Sequence, residues 1–80
     1  MRVQIFVTTR PEIPDPQGND LKKRAKDNHK IDLVSVRQGR FFEVEVVTSD
    51  PEEARAIAKK AAEALLANKI SEEYTIVLPP

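Results

Sequence analysis

The sequence predicts an α+β fold of four strands and two helices in one domain spanning residues 1–80, and three observations predict it. Arg2–Thr9, Ile31–Thr48 and Tyr74–Leu78 alternate apolar and polar residues. A period of two is the pattern of a strand with one face in a core. Two intervening stretches open on an aspartate followed by proline, Asp15-Pro16 and Asp50-Pro51, which suits a helix cap and its first position. The longest alternating stretch breaks at Gln38-Gly39-Arg40 and is expected to fold back there as a hairpin.

The elements follow in order. In the first strand Val3, Ile5 and Val7 point one way, and Gln4, Phe6 and Thr8 the other. Arg10 to Pro14 is a loop, because its two prolines cannot donate to a ladder. Asp15 caps a helix from Pro16 to about His29 with a thin apolar face, Leu21 and Ala25. Its Lys22, Lys23, Arg24 and Lys26 read as a solvated face near a helix end that favours cations, or as a patch for an anionic ligand or acidic partner. In the hairpin, Val34 and Val36 on one arm match Phe42, Val44 and Val46 on the other, with Gly39 supplying a positive φ. The second helix starts at Pro51, with Glu52 and Glu53 at the positive end of its dipole and Glu53 at capping-box spacing from Asp50. Ala54, Ile57, Ala58, Ala61 and Leu65 form its apolar stripe, and Asn68 is expected to end it as a left-handed cap. Tyr74 to Leu78 is the last strand, stopped by Pro79-Pro80.

With right-handed crossovers this order gives a ferredoxin-like βαββαβ two-layer sandwich. A four-stranded antiparallel sheet would carry both helices on one face, with the first and third strands central.

Composition narrows the function. A domain of 80 residues buries only about 60% of the surface its unfolded chain exposes. Such chains often lean on disulfides, a metal or a partner. With no cysteine and one histidine, His29, neither a disulfide nor a zinc-thiolate or histidine metal site is available within one chain. Oligomerisation remains, and is expected. Thirteen basic residues balance thirteen acidic ones, against the basic excess of nucleic-acid binders. No apolar run approaches a membrane span, and the N-terminal stretch alternates like a strand rather than a signal peptide. The expectation is a soluble cytoplasmic domain.

The predicted fold leaves one sheet face without helices. That face would hold Phe6, Leu33, Phe41, Glu43, Glu45, Val47 and Val77, together with Gln4, Ser35 and Arg37. Such a mixed apolar patch marks an interaction surface, so either a second chain covers it or the sheet continues into a partner's sheet. RNA-recognition domains use this face for base stacking, but Glu43 and Glu45 would repel phosphates there.

Catalytic constellations are missing. There is no cysteine nucleophile and no glycine-rich phosphate loop. Ser35, Ser49 and Ser71 have only His29 as a base and sit in no nucleophile elbow. Glu43 and Glu45 could do acid-base work, but alternating strand acids more often pair with Arg or Lys across strands.

Three stretches resemble one family. Asp15-Pro16-Gln17-Gly18 follows a short first strand. Val36-Arg37-Gln38-Gly39-Arg40 matches a V-R-x-G-K/R pattern at the hairpin. Leu65-Leu66-Ala67-Asn68 closes the second helix, with Tyr74 after it. In this order and at this length they resemble PurS, the small subunit of phosphoribosylformylglycinamidine (FGAM) synthase. The family pattern departs at Lys69-Ile70-Ser71, where Pro-Val-Ile is usual, and in the polar first helix.

The resemblance implies a non-catalytic adaptor in purine biosynthesis, the accessory subunit of an ATP-dependent C–N ligase. Working as a homodimer or homotetramer, it would bridge the synthetase PurL and the glutaminase PurQ. It would couple glutamine-derived ammonia to conversion of formylglycinamide ribonucleotide (FGAR) to its amidine. The complex would use ATP and Mg, with no cofactor bound by this chain. By position, the resemblance implies partner contacts at Asp15, Gln17, Gly18, Arg37, Gly39, Arg40, Asn68 and Tyr74. Arg37 and Arg40 are the best of these, since guanidinium forks pair carboxylates and phosphates. The plain alternative is that Asp15 only caps, Gly18 and Gly39 only turn, and Asn68 only ends a helix. The alternative function is a free-standing regulatory module that binds a small ligand between subunits.

Overall fold

Strand β1 (Arg2–Thr9) is the middle of the sheet in the computed structural model, which describes every residue from Met1 to Pro80. It pairs antiparallel with β2 (Gly39–Glu45) on one side and β3 (Glu72–Val77) on the other. Ile5 lies opposite Phe42 and Ile76, and Val7 opposite Arg40 and Tyr74. Val3, Ile5 and Val7 are fully buried on the inner face, as their alternation requires.

Helix α2 (Pro51–Ala61) lies on that face and continues into a π turn, Ala62–Leu66. Asp50 caps its start as expected, but Glu53 reaches Thr48 in place of the Asp50 N–H that a capping box would use. The Asp50 carboxylate accepts from Glu52 N–H at 3.2 Å. Glu53 accepts from the Thr48 hydroxyl at 3.1 Å, and Thr48 accepts from Asp50 N–H at 3.0 Å. The buried stripe is Ala54, Ala58 and Ala62, with Leu66 packed partly against it. The predicted stripe is therefore displaced: Ile57 is exposed and Leu65 is 83% exposed. Alanines let the helix lie close on the β-branched face of β1. The π turn, closed by Ala67 N–H to the Ala62 carbonyl at 2.9 Å, adds a residue and turns Leu66 inward in place of Leu65.

Two expectations about turns fail. No glycine has a positive φ, so Gly39 makes no tight turn. It lies in β2 opposite Thr8, where an added Cβ would sit 2.5 Å from the Val7 carbonyl oxygen. The left-handed residue is Lys30, at φ 56°, and not Asn68. Lys30 ends helix α1 (Pro16–His29), with Ile31 N–H reaching back to the Ala25 carbonyl at 3.0 Å.

The predicted second strand does not form in the chain. Residues 30–38 have no ladder, so the sheet has three strands and β2 is an edge. Nor does α1 cover the sheet; Gly18 is its one buried residue. The chain extends over 48 × 27 × 15 Å with a radius of gyration of 15.8 Å, against about 12 Å for a globular domain of this length. Helix α1 and the segment after it form a projecting arm. Return of the chain from Lys30 to Val36, beside Gly18, retraces about 18 Å of helix. Six residues reach that far only when nearly fully extended, at roughly 20 Å.

The physical reason for the missing hairpin lies at the root of the arm. Gln38 N–H is held by the Asp15 carboxylate at 2.7 Å. A Cβ on Gly18 would lie 2.1 Å from the Val36 carbonyl oxygen, so only glycine admits that approach. These contacts tie residues 36–38 to the start of α1 and hold the preceding chain off the β2 edge.

Candidate functional site

The candidate contact residues, scattered from position 15 to position 74, gather at one end of the sheet. This is where β1 finishes and β2 and β3 begin. Two linked clusters occupy it.

The first is the arm root. Asp15 is buried and accepts from Gly18 N–H at 3.1 Å as well as from Gln38. Those backbone donors, Gln38 first, hold its carboxyl below the ordinary aspartate value, against a burial effect in the other direction; the nearby Arg37 charge adds to the lowering. Arg37 closes the loop after β1. One guanidinium nitrogen donates to the carbonyls of Thr9, Arg10 and Ile13 at 3.0, 2.8 and 3.2 Å. Gln17 is exposed on the first turn of α1, on the rim of a shallow depression with Pro16 and Gln38.

The second cluster joins the end of α2 to β3. Arg40 Nη2 donates to the Leu66 carbonyl at 3.0 Å and to Glu72 Oε1 at 2.6 Å, with its guanidinium 5.7 Å from the Phe42 ring centroid. Glu72 also accepts from Asn68 N–H at 2.8 Å. That bond first, then Arg40, lowers its pKa, while burial opposes them. Asn68 uses its side-chain oxygen to hold Ile70 N–H at 2.9 Å, an Asx turn in place of the expected left-handed cap. Burial, with the charge of Glu63, pushes the Tyr74 phenol up. Tyr74, Glu63, Arg10, Lys69 and Glu72 line an open depression of about 290 Å³.

Arg10 links the clusters. Its carbonyl receives Arg37, while its guanidinium donates to the Lys69 carbonyl at 3.0 Å and its N–H to the Ser71 carbonyl at 2.9 Å. Arg10 and Glu72 belong to no motif in the sequence. Their partners are 59 and 32 positions away, beyond any local spacing signal.

The uncovered face holds Phe6, Phe41, Glu43, Glu45 and Val77 on one side of the sheet, in register with Gln4 and Arg2. Phe6 and Phe41 lie directly opposite, with ring centroids 5.1 Å apart, and are 41% and 51% exposed. Glu43 pairs with Arg2 at 3.3 Å. Two predicted members lie elsewhere. Leu33 is on the arm, because its strand does not form, and Val47 follows the end of β2.

Asp15 and Glu72 are occupied as acceptors and held ionised, and Tyr74 is held protonated. None is poised for proton transfer near neutral pH. The arrangement is suited to presenting a shaped surface. No helix is long and apolar enough to cross a membrane.

The family model PurS, described as phosphoribosylformylglycinamidine (FGAM) synthase, matches residues 2–80. The PurS subunit of Thermotoga maritima is 32% identical over 72 residues, covering 90% of this chain and 88% of that protein. The subunit of Mycobacterium leprae is 38% identical over 76 residues, covering 94% and 91%. Among solved structures, a chain of the T. maritima PurLQS structure matches at TM-score 0.88 and 30% identity, covering 95% of this chain and 93% of that one. Bacillus subtilis PurS matches at TM-score 0.80 and 25% identity, covering 99% and 98%. These matches run through the arm as well as the sheet, and the chain belongs to the PurS family of FGAM synthase subunits.

Proposed function

We propose that this chain is the small, non-catalytic adaptor of a cytoplasmic FGAM synthase complex. In this reading it works as a homo-oligomer, bridges a synthetase and a glutaminase subunit, and couples glutamine-derived ammonia to the ATP-dependent conversion of FGAR to FGAM. The observation that carries the reading is the family match along residues 2–80, with a similar chain present in a PurLQS structure. ATP and Mg belong to the synthetase in this reading, and this chain contributes surface.

The end of the sheet is the docking region. Arg37 and Arg40 each spend one terminal nitrogen on the chain itself, which fixes the fork, and in this reading its remaining donors serve partner carboxylates. Replacing both, Arg37→Ala with Arg40→Ala, is expected to weaken capture of the two large subunits about tenfold or more in a co-sedimentation titration, since charge-assisted bonds are among the stronger ones. Circular dichroism would verify that the sheet and α2 persist. A folded double variant that assembles like the parent would remove this region from the docking surface.

A further inference from the structure

The depression beside Tyr74 carries charges that the chain leaves unpaired. Arg10, Lys69, Glu63 and Glu73 line it. None of them joins the chain's three ion pairs, which are Arg2 with Glu43, Arg24 with Asp20, and Arg40 with Glu72. Glu72 also lies in the wall, but Arg40 neutralises it. Two cations and two anions therefore share one open depression of about 290 Å³ without pairing. Glu63 stands close enough to Tyr74 for its charge, after burial, to push the phenol up.

The walls are fixed by bonds within the chain. Arg10 N–H donates to the Ser71 carbonyl at 2.9 Å, and its guanidinium to the Lys69 carbonyl at 3.0 Å. Glu72 accepts from Asn68 N–H at 2.8 Å, and the π turn closes from Ala67 N–H to the Ala62 carbonyl at 2.9 Å. The loop after β1, the π turn and the start of β3 are thus tied together. A site held in this way gives up little freedom when it is filled.

We infer that this depression binds a free α-amino acid as its zwitterion. The Arg10 guanidinium and the Lys69 ammonium take the α-carboxylate. Glu63, with the Tyr74 hydroxyl beside it, takes the α-ammonium. The mixed signs select the ligand. Phosphates would meet three carboxylates in the walls, and a metal cation would meet Arg10 and Lys69. A molecule with both charges meets both sets. Arg10 and Lys69 balance Glu63 and Glu73, so the ligand's own side chain is neutral. Size agrees, since ligand clefts begin at about 300 Å³ and this one stands at that lower end. Lys69 stands where the family pattern has proline, so the second cation is a feature of this chain. The inference rests on charge and size, and not on which enzyme the chain serves.

The test is a two-dimensional amide NMR titration of the full chain with L-serine and L-glutamine, two neutral zwitterions of different length. Saturable shifts at Arg10 and along residues 63–74 are expected with at least one of them, at a Kd of about 1 mM or tighter. Blocked forms of that amino acid are then titrated. The N-acetyl form lacks the ammonium, and the C-terminal amide lacks the carboxylate. Each is expected to bind about tenfold or more weakly, the loss of one charge-assisted pair. Glu63→Gln and Lys69→Gln are expected to weaken binding by a similar factor. Glutamine keeps the shape of Glu63, and Lys69 is exposed, so both variants keep the fold. The blocked forms test the unaltered chain and need no variant. No saturable shift from either amino acid up to about 10 mM would overturn the inference. So would shifts confined to other residues, or blocked forms that bind as well as the free amino acid. Each of these failures leaves the adaptor reading standing.

Discussion

At neutral pH the Asp15 carboxylate is the pin of the arm root. It holds Gly18 N–H inside its own helix and Gln38 N–H from the far end of the arm. Its pKa is lower in the folded chain than its ordinary value of 3.8. The stability it provides is therefore fully present above that value and is lost as pH falls through the lower folded value. Asp15→Asn keeps the shape but loses the charge and one acceptor oxygen. Its thermal midpoint is expected to fall by about 4–8 °C at pH 7. The gap between variant and parent is expected to narrow as pH falls below the ordinary value and to close below the lower folded value, where the folded parent loses its charge too. A gap that persists unchanged into acid would show that the charge at Asp15 has no part in the anchor. The cap was legible from Asp15-Pro16. The second bond, to a residue 23 positions later, carries no sequence signal.

Among the elements, α2 was the most legible, because proline, acidic first turn and alanine spacing all point to one start and one face. What the sequence left open was which stripe packs. Ala61 and Leu65 fit helical spacing as well as Ala62 and Leu66 do. The choice depends on how close the sheet lies and on the π turn. Close approach makes a size prediction. Ala58→Leu, at a fully buried site, is expected to destabilise by about 1–3 kcal/mol in urea denaturation, the usual penalty of overpacking. Leu65→Ser is expected to change stability by about 0.5 kcal/mol or less, as an exposed substitution does. The reverse ranking would put Leu65 in the packed stripe. The hairpin was the least legible element. Its alternation predicts a strand on both arms, but only Gly39–Glu45 forms one, and Gln38-Gly39-Arg40 lacks the Asn-Gly or Asp-Gly that fixes a tight turn. Alternation at Val34 and Val36 fits a strand, but it specifies no partner strand for it.

For the molecule as a whole, a core of seven buried apolar residues, three of them alanine, is small for 80 residues, and the projecting arm adds little burial to it. The arm root and the start of the open β2 edge lie at the same end of the sheet, since Gly39 starts β2 where Arg37 closes the loop after β1. The measurement that tests the adaptor reading most directly is FGAM formation by the two large subunits with and without this chain, driven once by glutamine and once by ammonia. Glutamine-driven turnover is expected to require the chain, and ammonia-driven turnover to proceed without it. Equal glutamine-driven rates in its presence and absence would contradict the adaptor role.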